Sequence, residues 1–204
     1  MSRKTLIYIG FFVVLFGGFY AFLYATIDSK KSRLPVLNDV RPFSFQRQDG
    51  QQVTEKDIKG KVYIAEFFFT TCPGICPKMN TNMKVVYEKF KDKDNFLILS
   101  HTVDPENDTV ARLKVYADSL GADVKNWWFL TGSKENLYKA ARESYILDDP
   151  QNNAIDIKEQ FLHTQFFALV DKNGRVRGIY DGLKKSELAK LGDDIQDLLN
   201  EENS

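Results

Sequence analysis

Cys72 and Cys76 are the chain's two cysteines, set in Thr-Thr-Cys-Pro-Gly-Ile-Cys-Pro-Lys over residues 70–78, four positions apart and each followed by a proline. Four positions is close to one helical turn, so both sulfurs fall on one side of a helix that starts there. The positive end of such a helix favours thiolate over thiol. The pair can close a disulfide or chelate one soft ion, and the spacing does not choose between these chemistries. The plain alternative is two buried cysteines packing as small apolar groups. A turn bracketed by Pro73 and Pro77 and holding both of the chain's cysteines argues against it.

Three further residues belong in the same count. His163 alternates with Phe161, Gln165, Phe167 and Leu169 along an apolar run, where an imidazole reads first as a hydrogen-bonded core group and second as a ligand. His101 ends another apolar run and is a candidate auxiliary ligand. Two thiolates with one imidazole suit copper better than structural zinc, which would lack a fourth protein ligand. Glu66 stands six residues before Cys72 on an otherwise apolar stretch. A carboxylate buried there would have a raised pKa and could accept a thiol proton; paired with a lysine or reaching solvent, it would do neither.

The elements that must position these residues follow from periodicity. Phe43, Phe45, Asp49-Gly50 and Val53 predict an opening β-hairpin. VYIAEFFF at 62–69 reads as a central strand covered on both faces, and Met79, Met83, Val86, Tyr87 and Phe90 give a helix from about Pro77 to Lys91. FLILSHTV at 96–103 is the next strand, and residues 109–120 form a helix. WWFL at 127–130 is a short strand, with Trp127 and Trp128 read as core and sheet edge. Ser133 caps a helix reaching about Tyr145, and 146–160 is a polar excursion that packs little. Residues 161–170 and 175–180 then form a hairpin over Asn173-Gly174, beside which Asp171 is a turn residue, and a last helix carries Leu188 to Leu199. This is an α/β chain with a mixed sheet and helices on both faces.

Residues 5–27 contain no charged side chain, and as a helix they would reach about 34 Å, enough to span a hydrocarbon core. The apolar stretch is too long for a cleavable signal and starts too early for an organelle transit peptide, so it reads as an uncleaved single-pass anchor of a bacterial protein. The expected division is an anchor at 1–27, a juxtamembrane linker at 28–41 and a folded domain at 42–204. Flanking charge leaves orientation open, because Lys30, Lys31 and Arg33 offset Arg3 and Lys4. With 28 basic and 28 acidic residues, the chain is no polyanion binder, and nucleic acid is excluded as an expected partner.

TTCPGICPKM, SHTVDPENDTVARLKVYADSLGADVKNWWFLTG and FLHTQFFALVDKNGRVRGIYDG together resemble the Sco/SenC family over nearly the whole soluble part. The resemblance implies a thioredoxin-like fold and a membrane-anchored copper chaperone that serves the binuclear copper centre of cytochrome c oxidase. It further implies a domain facing the periplasm from a bacterial inner membrane, supplied by an upstream copper donor. Its copper ligands would be Cys72, Cys76 and His163. Two departures stand out. Gly74 occupies a position that is acidic in many members, and His101 replaces an aliphatic residue.

The expected function is therefore metal binding and delivery rather than catalysis. The alternative is a tethered thiol:disulfide reductase that keeps the cysteines of the oxidase copper site reduced. Glu66 favours it. The three-residue spacer between the cysteines and the lack of any proline after Pro150 do not.

Overall fold

A computed structural model describes residues 2–26 and 34–201. The parts of the expected anchor and linker at residues 1 and 27–33 lie outside the described residues.

Helix α1, Arg3–Thr26, is followed by strands β1 (Asn38–Asp39), β2 (Ser44–Arg47), β3 (Gln52–Thr54) and β4 (Val62–Phe68), helix α2 (Ile75–Phe90), strand β5 (Phe96–Thr102) and helix α3 (Val110–Leu120). Then come strand β6 (Trp127–Thr131), helix α4 (Lys134–Lys139), strands β7 (Phe166–Val170) and β8 (Arg175–Asp181), and helix α5 (Lys185–Asn200). The strands form one sheet in the order β1-β8-β7-β4-β5-β6-β2-β3. β4, β5 and β6 run parallel, and the strands outside them join antiparallel. A parallel pair needs a crossover, and α2 and α3 supply two on the same face. The arrangement is thioredoxin-like.

Every residue of β4 and β5 is buried, as expected of strands covered on both faces. On one side Val62, Ile64 and Phe68 pack against α2, α3 and α5; on the other Tyr63, Ala65 and Phe67 pack against α4 and the β2–β3 hairpin. That hairpin turns at Gly50, whose φ of +86° suits a residue without a Cβ. Thr109 caps α3 by accepting from Arg112 N, and Gly121 ends it in the left-handed conformation.

Three expectations need correction. The strand through His163 begins at Phe166, not Phe161, because the ladder with β8 ends at Phe166↔Asp181. A last bond from Gly182 N to Gln165 O lies beyond it, and Leu162 N is held instead by Tyr138 Oη at 3.1 Å. The helix after Ser133 keeps α geometry only to Lys139 and continues as a π turn over Ala140–Ser144. The folded body also starts before residue 42. β1 pairs Asn38 with Val176, and Arg177 Nη2 donates to Leu34 O at 2.7 Å.

Candidate metal and thiol site

The loop from Phe69 to Gly74 delivers the cysteines from the end of β4 to the start of α2. Asp108 fixes its approach. This wholly buried carboxylate accepts from Thr70 N at 3.1 Å, from the Thr70 hydroxyl and from Thr102 Oγ1 at 2.6 Å, joining the ends of β4 and β5 to the entry of α3. Arg112 Nε reaches Thr70 Oγ1 at 2.7 Å from outside.

Cys72 and Cys76 are free thiols, 8% and 4% exposed. They are tuned apart. Burial works against the Cys72 thiolate, but the Cys76 thiol and the N–H groups of Cys76, Gly74 and Ile75 outweigh it and hold the Cys72 pKa below the ordinary thiol value. Burial, reinforced by Cys72, pushes the Cys76 thiol well up. Cys72 is thus the more acidic thiol of the pair and Cys76 the less acidic one.

Glu66 lies beneath them on the same face of the sheet, completely buried. Ser100 Oγ donates to its Oε1 at 2.5 Å, Trp127 Nε1 donates to that hydroxyl at 2.9 Å, and Oε2 has no partner. Burial raises its pKa to about 7, against the pull of the Ser100 hydrogen bond. Its negative charge is one of the influences that raise the Cys76 thiol. Asn80 Nδ2 donates to Tyr116 Oη at 2.7 Å, adding a polar pair to the α2–α3 seam. Sequence reading passed over this pair and Asp108. The signal for Asn80 was its place at i+4 from Cys76, on the same inward stripe as Met83 and Tyr87.

The two histidines are treated oppositely. His101 is buried on the other face of the sheet, stacked on Phe67 with ring centroids 4.9 Å apart and edge-on to Phe45 at 5.4 Å. Burial lowers its pKa to about 4, so it is neutral. The sheet separates it from the thiols, which removes it as an auxiliary ligand. His163 is exposed, and its ring touches Phe69 at 5.9 Å and Phe161 at 5.3 Å between centroids, with no hydrogen bond. It lines an open groove of about 880 Å3 together with Ile75, the first residue of α2 and neighbour of Cys76. Among the described residues no three His, Cys, Asp or Glu side chains converge closely enough to hold an ion. The imidazole thus lines a groove that reaches the start of α2, while Cys72 and Cys76 are buried and not among its lining residues, so the three are not assembled around a common point.

A thioredoxin-like sheet whose paired thiols open the first core helix defines the class. Within it, the chain belongs to the SCO1/SenC family, whose model matches residues 35–200. A SCO1 homologue of Bacillus subtilis is 34% identical over 166 residues, covering 79% of this chain and 83% of that protein. The solved structure of BsSco, described as a Sco-family cytochrome c oxidase assembly protein with a disulfide switch, is 33% identical with a TM-score of 0.68 over 82% of this chain and 98% of that one. ScoI of Bradyrhizobium japonicum, solved with copper bound, is 26% identical with a TM-score of 0.61 and covers 78% of this chain and 99% of that one.

Proposed function

We propose that this chain is a membrane-tethered copper carrier in which reduced Cys72 and Cys76, joined by His163, hold one copper ion and release it to the copper-centre subunit of cytochrome c oxidase. The observation that carries the reading is an unbonded, exposed imidazole in a groove whose lining includes Ile75, the residue beside Cys76 in a pair of oppositely tuned free thiols. Soft thiolates supply affinity for copper, and an imidazole free of hydrogen bonds is a ligand that can join and leave as the cargo is exchanged. The copper-bound relatives support the cargo, and the assembly role of BsSco supports the recipient. An upstream copper donor must load the site.

α1 supports the tether. Its segment Arg3–Phe22 is long and apolar enough to cross a membrane. In this reading the protein is single-pass in a bacterial inner membrane with the domain facing the periplasm.

The test is anaerobic Cu(I) titration of the reduced full chain in detergent against a competing chelator. One copper per chain is expected, lost in Cys72→Ser and Cys76→Ser and weakened well over tenfold in His163→Ala. Binding insensitive to His163 would remove it from the ligand set.

A second reading, thiol:disulfide exchange with the oxidase's copper-site cysteines, draws on Glu66, a buried acid on the thiol side of the sheet. Glu66→Gln is expected to slow exchange and leave copper affinity unchanged. Impaired loading in that variant, with fold and thiol reactivity intact, would give Glu66 a role in binding instead.

A further inference from the structure

From Ile146 to Gln165 the chain makes no strand pairing and one short 3-10 turn, Pro150–Ala154. Yet this is the segment that delivers His163. What holds it is a side chain of the preceding π turn. Arg142, 8% exposed, donates from Nε to Asp148 Oδ2 at 2.8 Å, from Nη1 to Asn153 Oδ1 at 2.6 Å and from Nη2 to Gln160 Oε1 at 2.6 Å. Nη2 also lies 2.6 Å from Asp148 Oδ2. One guanidinium thus joins the beginning, middle and end of the excursion.

The acceptors are themselves fixed. Asn152 Nδ2 donates to Asp148 Oδ1 at 2.8 Å, and Gln160 Nε2 donates to Ile155 O at 2.6 Å. Two residues past Gln160, Leu162 is buried, with its N–H on the Tyr138 hydroxyl. His163 comes next, exposed and lining the groove beside Phe161. A planar fork places its five donors on three separate nitrogens and so reaches three acceptors set apart from one another, which the single nitrogen of an ammonium does not.

We propose that Arg142 is a positioning residue for His163: its buried guanidinium closes residues 148–160 into a rigid loop whose end presents the imidazole to the groove that Ile75 lines at the start of α2. This rests on His163 being a copper ligand, as proposed above. Without the guanidinium, Asp148 keeps a part-buried carboxylate with its main counter-charge gone, and the excursion loses the bonds between its ends.

Cu(I) competition on the full chain in detergent would compare wild type, His163→Ala, Arg142→Gln and the double variant. Removing a residue that orients a metal ligand costs about 10- to 100-fold in affinity. Arg142→Gln is expected to weaken binding at least about tenfold in the native background and to add nothing once His163 is alanine. Unchanged affinity, or the same loss in both backgrounds, overturns the proposal. If His163→Ala alone leaves affinity unchanged, the ligand reading itself fails and this inference falls with it, a result distinct from failure at Arg142 only.

A metal-free readout is available, because the chain has only two histidines and the His163 imidazole resonances are identified by their loss in His163→Ala. Their cross-relaxation with the rings of Phe69 and Phe161 is expected in the native chain and lost in Arg142→Gln; persistence overturns the proposal. Should Arg142→Gln not fold, Asn153→Ala removes one arm of the fork, with a smaller loss of affinity expected, again confined to the background that retains His163. An equal loss in both backgrounds overturns it as well.

Discussion

The main-chain carbonyl of Glu66 accepts a hydrogen bond from His101 Nδ1 at 3.3 Å, while the two side chains are buried on opposite faces of the sheet. Two completely buried titratable groups therefore sit back to back on neighbouring strands, one an acid shifted up and the other a base shifted down.

Their contributions to stability run in opposite directions with pH. Glu66 has a folded pKa of about 7 against an ordinary value of 4.5, so its stabilisation is full below about 4.5 and is lost as pH rises through about 7. His101 has a folded pKa of about 4 against 6.5, so its stabilisation is full above about 6.5 and is lost as pH falls through about 4. Each swing is on the order of 3 kcal/mol, and they largely cancel between pH 4.5 and 6.5. Urea unfolding across that range should show Glu66→Gln gaining stability with rising pH relative to wild type, and His101→Phe losing it. Parallel pH profiles in all three proteins would mean that neither group titrates as described.

Ser100 is the one donor to the Glu66 carboxyl, and its hydrogen bond is what restrains the upward shift. Ser100→Ala should move the Glu66 titration above pH 7, followed by carboxyl infrared absorption, and cost about 1–3 kcal/mol through the bond lost.

Cys72 should be the more reactive thiol, since its pKa is held down while that of Cys76 is pushed up. Iodoacetamide at pH 8, with peptide mapping by mass spectrometry, is expected to label Cys72 first, by about tenfold or more. Preferential labelling of Cys76 would invert the assignment of the more and the less acidic thiol.

Asp108→Ala removes an acceptor shared by Thr70 and Thr102. Unfolding free energy should fall by about 3 kcal/mol or more, the range for several hydrogen bonds to one buried charge. Alkylation of Cys72 should accelerate as the loop loosens. Faster alkylation in Asp108→Ala with unchanged stability would separate the loop from the fold.

Much of this architecture is legible in the sequence, because apolar periodicity reports burial directly. β4, β5, α2 and α3 lie within two residues of where the pattern places them, and the cysteine pair stands at a strand-to-helix turn. His163 was less legible. Phe161, His163 and Gln165 alternate like a strand, but alternation records only which residues are apolar. Phe161 is 52% exposed beside the groove. The face taken by His101 was hidden too, since facing follows from register: Phe67↔His101 in the ladder puts both rings on the side away from α2. Arg142 could not be read at all. On a helix following Ser133 an arginine reads as a solvated charge, and its three acceptors lie up to 18 positions downstream.

β1 pairs with the first residues of β8, Asn38↔Val176 and Asp39↔Arg175, at the end of the sheet where β4 begins. The cysteines follow the other end of β4, a strand of seven residues that spans about 23 Å. The polypeptide thus enters the body at one pole and offers its thiols at the opposite one. With α1 as the tether proposed above, the body acts as a spacer, carrying the thiols outward from the bilayer by its own height. A recipient then meets them far from the lipid surface.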